Sequence, residues 1–351
     1  MQGTSEPGSL PSTHFSWYSI KERNIGLDFA SLDNRLSGTF DYFYKRTTGY
    51  VVADTRYAAT MGIGLPPINF EDAALRRHGA EFNLTWNEKK GDFSYKVGVN
   101  FTYFNQLWER NPSEDDAALK NPYTRQSGTL NLGVTTGYLN QGFYQDNAEL
   151  LTGARRISSI NTIAGDLKYA DINGDGKIDG SDQIRIGNAT FPRINYGTTV
   201  DLGYKAWSLS AVIMGSGNRD RYFGGIIQGA NPDNMLLYGF QQDYWRVDNT
   251  DALFPRQTST PGVNGSNNFV NSDFWILPSR FVRLKYFQLG YDFKSSLLKN
   301  SKFKELRLFA SGTNLFTISN TKKYFVDPES DQNNENYPIQ KTFSLGINVG
   351  F

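Results

Sequence analysis

Polar and apolar residues alternate one by one through most of this chain. Ile25, Leu27 and Phe29 are separated by Gly26 and Asp28, and Phe93, Tyr95, Val97, Val99, Phe101 and Tyr103 by Ser94, Lys96, Gly98, Asn100 and Thr102. The same period runs through Ile194, Tyr196, Thr198, Val200, Leu202 and Tyr204, and through Phe343, Leu345, Ile347, Val349 and Phe351 at the end. Successive side chains of a strand point to opposite faces, so each stretch predicts a strand with one apolar face and one polar or small face. Nine strands are predicted, over 21–31, 34–47, 76–87, 92–104, 192–204, 205–217, 280–294, 303–317 and 340–351. Helical periodicity is scarce.

The connections fall into two kinds in strict alternation. Those near 31–33, 87–91, 204–205 and 295–301 are short, and those over about 48–75, 105–191, 218–279 and 318–339 are long. A soluble sandwich has no reason to gather its long loops at one end of its strands. A transmembrane barrel has, because its periplasmic turns are short and its extracellular loops long. The expected fold is therefore all-β, an antiparallel transmembrane β-barrel. Single-chain bacterial barrels have even strand numbers. An odd count makes residues 1–351 the C-terminal part of a larger barrel, which also accounts for a start without a signal peptide. A last strand ending on an aromatic, Phe351, suits the signal that barrel assembly machinery would read, the competing role being the last core residue of a β domain.

Composition narrows the function classes. The chain carries 25 Phe, 20 Tyr, 6 Trp and 34 Gly, yet is only 38% hydrophobic with a mean hydropathy of −0.51. Rings on lipid-facing positions and girdles, with polarity on a lumen face and in loops, reconcile the two. A net charge of +1 gives no electrostatic case for nucleic acid. The absence of Cys excludes a disulfide scaffold, thiolate catalysis and Cys-based metal centres. Two histidines, His14 and His78, leave little room for His-based chemistry. No apolar run approaches the roughly 18–20 residues of a transmembrane helix.

The longest connection contains Asp171-Ile172-Asn173-Gly174-Asp175-Gly176-Lys177-Ile178-Asp179-Gly180-Ser181-Asp182. Oxygen-bearing residues at the first, third, fifth and twelfth positions, with Gly at the sixth for a sharp turn, match a twelve-residue Ca²⁺ loop. Asp171, Asn173, Asp175 and Asp182 would ligate through side chains, Lys177 through its carbonyl, and Asp179 directly or through a water. The flanks are not amphipathic helices, so no EF-hand pair is expected. The expected Ca²⁺ stiffens the loop and does no chemistry. The same residues also suit an Asx-rich turn with solvated carboxylates.

Among the loop aromatics Trp108, Tyr244, Trp245, Phe274 and Trp275, the indoles of Trp245 and Trp275 are the candidates for substrate contact; girdle or loop-core anchoring is the competing role. The clusters Glu114, Asp115, Asp116 and Asp327, Glu329, Asp331 read as solvated loop charge, since nothing in the sequence sets the separation of a glycosidase pair. Gly215-Ser216-Gly217 lacks the helix and Lys-Ser/Thr of a phosphate loop. No catalytic residue is expected, and the chain is not read as an enzyme.

Several stretches resemble the SusC/RagA family of TonB-linked outer-membrane proteins. They are Glu22-Arg23-Asn24-Ile25-Gly26-Leu27-Asp28-Phe29 with Asn34-Arg35-Leu36-Ser37-Gly38 and Tyr44-Lys45-Arg46-Thr47-Thr48; Gly165-Asp166-Leu167-Lys168-Tyr169 leading into the acidic loop and Ile186-Gly187-Asn188; and Tyr244-Trp245-Arg246 with Phe254-Pro255-Arg256. The block Phe281-Val282-Arg283-Leu284-Lys285-Tyr286, then Ser311-Gly312-Thr313-Asn314-Leu315-Phe316, Asp327-Pro328-Glu329 and Tyr337-Pro338, is the most specific. The resemblance implies a 22-stranded barrel in the outer-membrane lipid, closed by an N-terminal plug and importing glycan oligomers or peptides. It also implies a SusD-like surface lipoprotein as partner, and TonB engaged through an N-terminal part that this sequence lacks. The nine strands match the last nine of that barrel. A secreted glycan-binding β-sandwich with a dockerin-like calcium loop is the alternative.

Overall fold

The computed structural model describes residues 16–52, 67–129, 134–156, 162–222, 239–257, 265–293, 303–329 and 339–351. Nine long strands make one sheet in chain order: β1 (Ser19–Ser31), β2 (Leu36–Val52), β3 (Ile68–Lys90), β4 (Phe93–Arg110), β5 (Ile194–Tyr204), β6 (Trp207–Gly217), β7 (Phe281–Asp292), β8 (Glu305–Ser319) and β9 (Thr342–Gly350). Pairing is antiparallel from β4 through β9. Among the described residues β1 and β9 are the edges of this sheet, and the other sheets have two strands each. Among the described residues no second large sheet covers it, as a sandwich would require. Among the described residues, 32–35, 91–92 and 205–206 are short turns between consecutive strands of the sheet.

The chain divides into two compact units, residues 1–26, 41–80 and 104–132, and residues 27–40, 81–103 and 133–351. In the second unit, strand register sorts the side chains by face. Val97 lies opposite Val200, Val200 opposite Ala211, and Ala211 opposite Phe287. Leu289 lies between Leu209 and Ala310, and Ala310 opposite Leu345. One step along, Lys96 faces Asp201, Asp201 faces Ser210, Ser210 faces Gln288, Gln288 faces Ser311 and Ser311 faces Ser344. The apolar face carries no covering layer among the described residues: Leu289 is 38% and Leu308 40% exposed on inner strands, and at the edge strand β9 Phe343 is 78% and Leu345 88% exposed. At about 3.4 Å per residue and the usual barrel tilt of about 40°, β5 rises about 26 Å, against about 25 Å for the apolar band of an outer-membrane barrel. Rings gather at its short-turn end, with Trp207 and Tyr291 centred 4.8 Å apart, Tyr291 and Phe293 5.0 Å, and Phe93 and Tyr95 5.7 Å.

In the first unit, strands run on where strict alternation stops. β2 and β4 extend to Val52 and Arg110, and β3 begins at Ile68, eight residues before the alternation predicts. Pairs of polar and aromatic side chains replace the apolar stripe there. The rings of Tyr50 and Trp108 meet edge to face at 4.8 Å, Arg46 Nε donates to Glu109 at 2.8 Å, and the Arg110 guanidinium lies 5.6 Å over the Phe70 ring. Beside these pairs the strands bury Ala73, Ala74, Leu75 and Leu107.

The apolar core of the second unit lies in the long connections, not on the sheet. Tyr138, Leu167, Tyr169, Ile178, Phe254, Trp275, Leu277 and Tyr324 form it. Short ladders frame it: 135–137 with 184–186, 140–143 with 167–169, 155–156 with 177–178, and 220–222 with 276–278.

Candidate functional site

The cluster of long connections is the part of the molecule with a packed interior and a concentration of buried polar groups. Its centre is Asp166, fully buried. Gly165 adopts φ +87°, and a Cβ there would come within 2.3 Å of the Trp245 ring and 2.9 Å of Arg256 Cβ. Only glycine lets the backbone turn this tightly under an indole. The turn aims the Asp166 carboxylate at Arg256, whose Nε lies 2.8 Å from Oδ1 and whose Nη2 donates to Oδ2 at 3.1 Å. Asn268 Nδ2 and the Ile163 N–H complete the set of donors at 2.9 Å each. Asn268 also accepts from Leu167 N–H at 2.9 Å and, through its carbonyl, from the Trp275 indole at 2.6 Å. Asn267 bonds the Leu167 carbonyl at 2.8 Å and accepts from the Tyr169 hydroxyl at 2.7 Å. Burial pushes the Tyr169 phenol well above its ordinary value. It also pushes the Asp273 carboxyl up, against the N–H of Asn140 that donates to it at 2.6 Å.

A second charged knot closes the final long connection. Arg283, fully buried, extends Nη2 to Asp327 at 2.5 Å, Nη1 to Glu329 at 2.6 Å and Nε to Thr317 at 3.0 Å. Two carboxylates and a hydroxyl satisfy the guanidinium fork, the condition for keeping that charge out of water. Asp327 and Glu329 are thus structural ligands of an arginine, not solvated loop charge. Asp331, with Tyr337-Pro338 and His14, lies outside the described residues.

In the other acidic cluster, within the first unit, Asp115 and Asp116 are exposed as expected and Glu114 alone departs from solvated loop charge. Glu114 is buried and accepts from the backbone N–H groups of Gln126 and Ser127 and from the Ser127 hydroxyl. Burial raises its carboxyl, but these hydrogen bonds win and hold it below the ordinary glutamate value. Asp115 caps the helix Asp116–Lys120 by accepting from Ala118 N–H. A carboxylate at a helix start is satisfied by orphan donors, which no composition count reveals.

The acidic loop is built as a series of Asx turns. Asp171 accepts from Gly174 and Gly176 N–H at 2.7 and 2.8 Å, Asn173 from Asp175 N–H at 2.9 Å, and Asp175 from Lys177 N–H at 2.9 Å. Asp182 is buried at the base, taking Ile172 and Asn173 N–H on Oδ1 and Asp179 N–H on Oδ2, while Asp179 accepts from Ser181 N–H at 2.8 Å. Ile178 plugs the apolar core. Asn173, Asp175 and Lys177 stand exposed at the tip. The donor set is all oxygen, the chemistry of a hard cation. Among the described residues, no three carboxylates or imidazoles converge as a metal cluster. Beside the loop, Gln141, Glu149, Lys168 and Asp171 line a polar cleft of about 340 Å³, crossed by a Lys168–Glu149 ion pair of 3.2 Å.

Trp245 and Trp275 are 7% and 2% exposed. Trp275 packs against Phe274 at 4.7 Å in the loop core, and Trp245 covers Gly165 with an indole N–H that finds no acceptor. Trp108 is the β4 ring that meets Tyr50. Phe351 is exposed, its ring 5.5 Å from Phe303. Sequence reasoning missed Asn267, Asn268 and the Asp166–Arg256 pair as a unit. The signal was partial: Gly165-Asp166, Trp245 and Pro255-Arg256 stand out as motifs, while Asn267-Asn268 sits in an Asn-rich run with nothing to single it out.

A profile of the family described as TonB dependent receptor-like, beta-barrel, matches residues 4–214. The chain is 26% identical over 362 residues to TonB-dependent receptor P3 of Formosa agariphila, covering 96% of this chain and 34% of that protein. It is 24% identical over 365 residues to TonB-dependent receptor SusC of Bacteroides thetaiotaomicron, covering 99% of this chain and 33% of SusC. Its fold is similar to a chain of the RagAB peptide importer in the open-open state, with a TM-score of 0.67, 17% identity, and 98% of this chain and 36% of that chain covered. The chain spans about a third of the length of the curated relatives it matches.

Proposed function

Since this chain belongs to the TonB-dependent receptor-like β-barrel family, whose members reside in the outer membrane, we propose that it is part of a SusC/RagA-type nutrient importer. The nine-stranded sheet would be one section of a larger closed barrel, of 22 strands on the family pattern, with the plug and remaining strands outside residues 1–351. The observation that carries this is the bare apolar face continuous from β4 to β9, backed by a polar face and crowned by long connections. That is a lipid wall, a lumen wall and a set of extracellular loops. The cargo class is glycan oligomers or peptides; the relatives are named as receptors and an importer, which supports transport over catalysis. A SusD-like surface lipoprotein would cap the long-connection side, and TonB would act through the part beyond this chain. Phe351 would be the residue that assembly machinery reads.

Uptake of labelled oligosaccharide and peptide pools, in cells with and without the full-length gene, tests the reading. Loss of import of one pool on deletion is expected. Unchanged import of both, or recovery of the protein in the soluble fraction, refutes it.

We further propose that the acidic loop holds a structural Ca²⁺ through Asp171, Asn173, Asp175, the Lys177 carbonyl, Asp179 and Asp182. The all-oxygen donor set and the exposed tip support this. Calorimetric titration of Ca²⁺ into chelator-treated full-length protein should give heat that Asp175→Ala abolishes; no heat in the parent protein refutes it.

A further inference from the structure

In the first unit the apolar stripe gives way to cations on one face of the strands. Glu22 and Lys45 pair at 3.7 Å, which puts Lys21, Arg23 and Arg46 on the other face of β1 and β2. Arg46 Nε reaches Glu109 on β4 at 2.8 Å, across the intervening β3. Arg77 donates to Gln106 at 3.2 Å. Gln106 and Glu109 lie on opposite faces of β4, so Arg76 shares a face with Arg46. Alternation places Ile25, Tyr42, Tyr44 and Ala80 on that same face. Ile25 is 71% and Tyr42 40% exposed there, as side chains that meet lipid would be.

The charges of this face are uneven. Lys21, Arg23, Arg46 and Arg76 stand with the carboxylates Glu109 and Asp72, and Arg46 takes Glu109. Lys21 and Arg23 are exposed and form no ion pair among the described residues, where Arg76 Nε is buried without a hydrogen-bond partner. On the opposite face of the same segments, Lys45, Arg77 and Arg110 are matched by Glu22, Asp41 and Glu71. Solvated charge has no reason to sort by face. A border between hydrocarbon and phosphate supplies one. The cations begin where the apolar residues of their face stop, toward the end of β2 and the start of β3.

We propose that Lys21, Arg23 and Arg76 bind the phosphate of a lipid headgroup in the outer leaflet, with its acyl chains along the stripe that begins at Ile25, Tyr44 and Ala80. Lys and Arg at such a border lay their stems on apolar groups and carry the charge to headgroup level. The guanidinium fork matches phosphate oxygens. An acidic protein segment would satisfy the charges but not the apolar stripe that continues them. The leaflet follows from taking the long connections as extracellular, so the inference rests on the importer reading above.

The test uses the full-length receptor purified in neutral detergent, with native mass spectrometry counting bound lipid. Phosphorylated lipid A should bind, and the same lipid A stripped of its phosphate should not. Each cation near an anionic surface is worth about fivefold in affinity. Lys21→Gln with Arg23→Gln should therefore weaken binding about 25-fold, as the product of two such factors. Lys21→Arg with Arg23→Lys should retain binding, and Lys45→Gln, on the other face, should leave it unchanged. The temperature of the heat-modifiable gel shift should hold in the double variant, which breaks no ion pair. Should that variant not fold, Arg76→Gln decides in the same titration, with about a fivefold loss expected. In irradiated cells, p-benzoylphenylalanine in place of Tyr44 should give an adduct with lipid A. Equal binding of the stripped lipid, equal competition by inorganic phosphate, tighter binding of phosphatidylglycerol, or indifference to the lost charges overturns the proposal. So does an equal loss in Lys45→Gln, or a protein adduct in place of the lipid one. If binding behaves as expected while gene deletion leaves uptake of both pools unchanged, the importer reading fails alone. If uptake is lost and binding is indifferent to the charges, the lipid site alone is lost.

Discussion

Gly165→Ala, set against Gly176→Ala, isolates the contact at the heart of the loop cluster. Both glycines have positive φ, +87° and +79°, so an added methyl meets similar backbone strain at each, about 1–2 kcal/mol. Their surroundings differ. A Cβ at 176 meets nothing within 4 Å, whereas at 165 it would lie 2.3 Å from Trp245 Cε3, 2.8 Å from Cδ2 and 2.9 Å from Arg256 Cβ. Relieving that overlap means moving the indole or the Arg256 backbone, and Arg256 carries the ion pair to buried Asp166. Overpacking of a well-filled site costs about 1–3 kcal/mol beyond the strain. At tenfold per 1.4 kcal/mol, the extra opening of the cluster is about five- to a hundredfold. Proteolysis of briefly opened loops follows that population when closing outpaces cleavage. In native-state digestion of the full-length receptor, cleavage around 165–170 in Gly165→Ala should exceed that in Gly176→Ala by this factor. Equal rates in the two variants would refute the claim that Gly165 is required by close approach and not by turn geometry alone.

Replacing Arg283 by Met leaves Asp327 and Glu329 without their buried partner, and about 3–5 kcal/mol of local stability should go with it; digestion between 319 and 330 should accelerate, and Arg283→Lys should restore little because it cannot span both carboxylates. Leu289→Arg, on the bare apolar face between Leu209 and Ala310, should cost about 2–4 kcal/mol in refolding into lipid vesicles, while the neighbouring Gln288→Arg on the other face should cost little; similar losses would mean the faces are assigned wrongly. The Glu114 carboxyl is depressed in the folded protein, so its stabilisation is present above the ordinary value of 4.5 and is lost as pH falls through the lower folded one. Digestion within 111–129 should therefore rise on acidification below that value, and Ser127→Ala should move the onset to higher pH; a pH-independent rate would contradict the assignment.

Local pattern carried the strands. Alternation such as Phe93 to Tyr103 or Phe343 to Phe351 states which residues share a face, and the observed register joins those faces from β4 to β9, with register shifts at Val212/Ile213 and at Leu284/Tyr286 that the alternation does not record. Where the pattern ends, as between Ile68 and Arg76, the strand continues with Ala73, Ala74 and Leu75 all buried in succession and Phe70 under the Arg110 guanidinium, contacts that a period of two does not record.

The chain's strands, the sides they present and the alternation of short and long connections are legible from residue order, because side-chain direction in a strand is set by the peptide geometry of nearest neighbours. What the long connections do is not. Asp166 meets Arg256 and Asn268 across about a hundred residues, and Arg283 meets Asp327 and Glu329 over more than forty. Whether a carboxylate is solvated or clamped, and whether Trp275 is a surface ring or a core one, depend on which segments pack together. Burial in an aperiodic loop is a property of its neighbours in space, and only the tertiary structure names them.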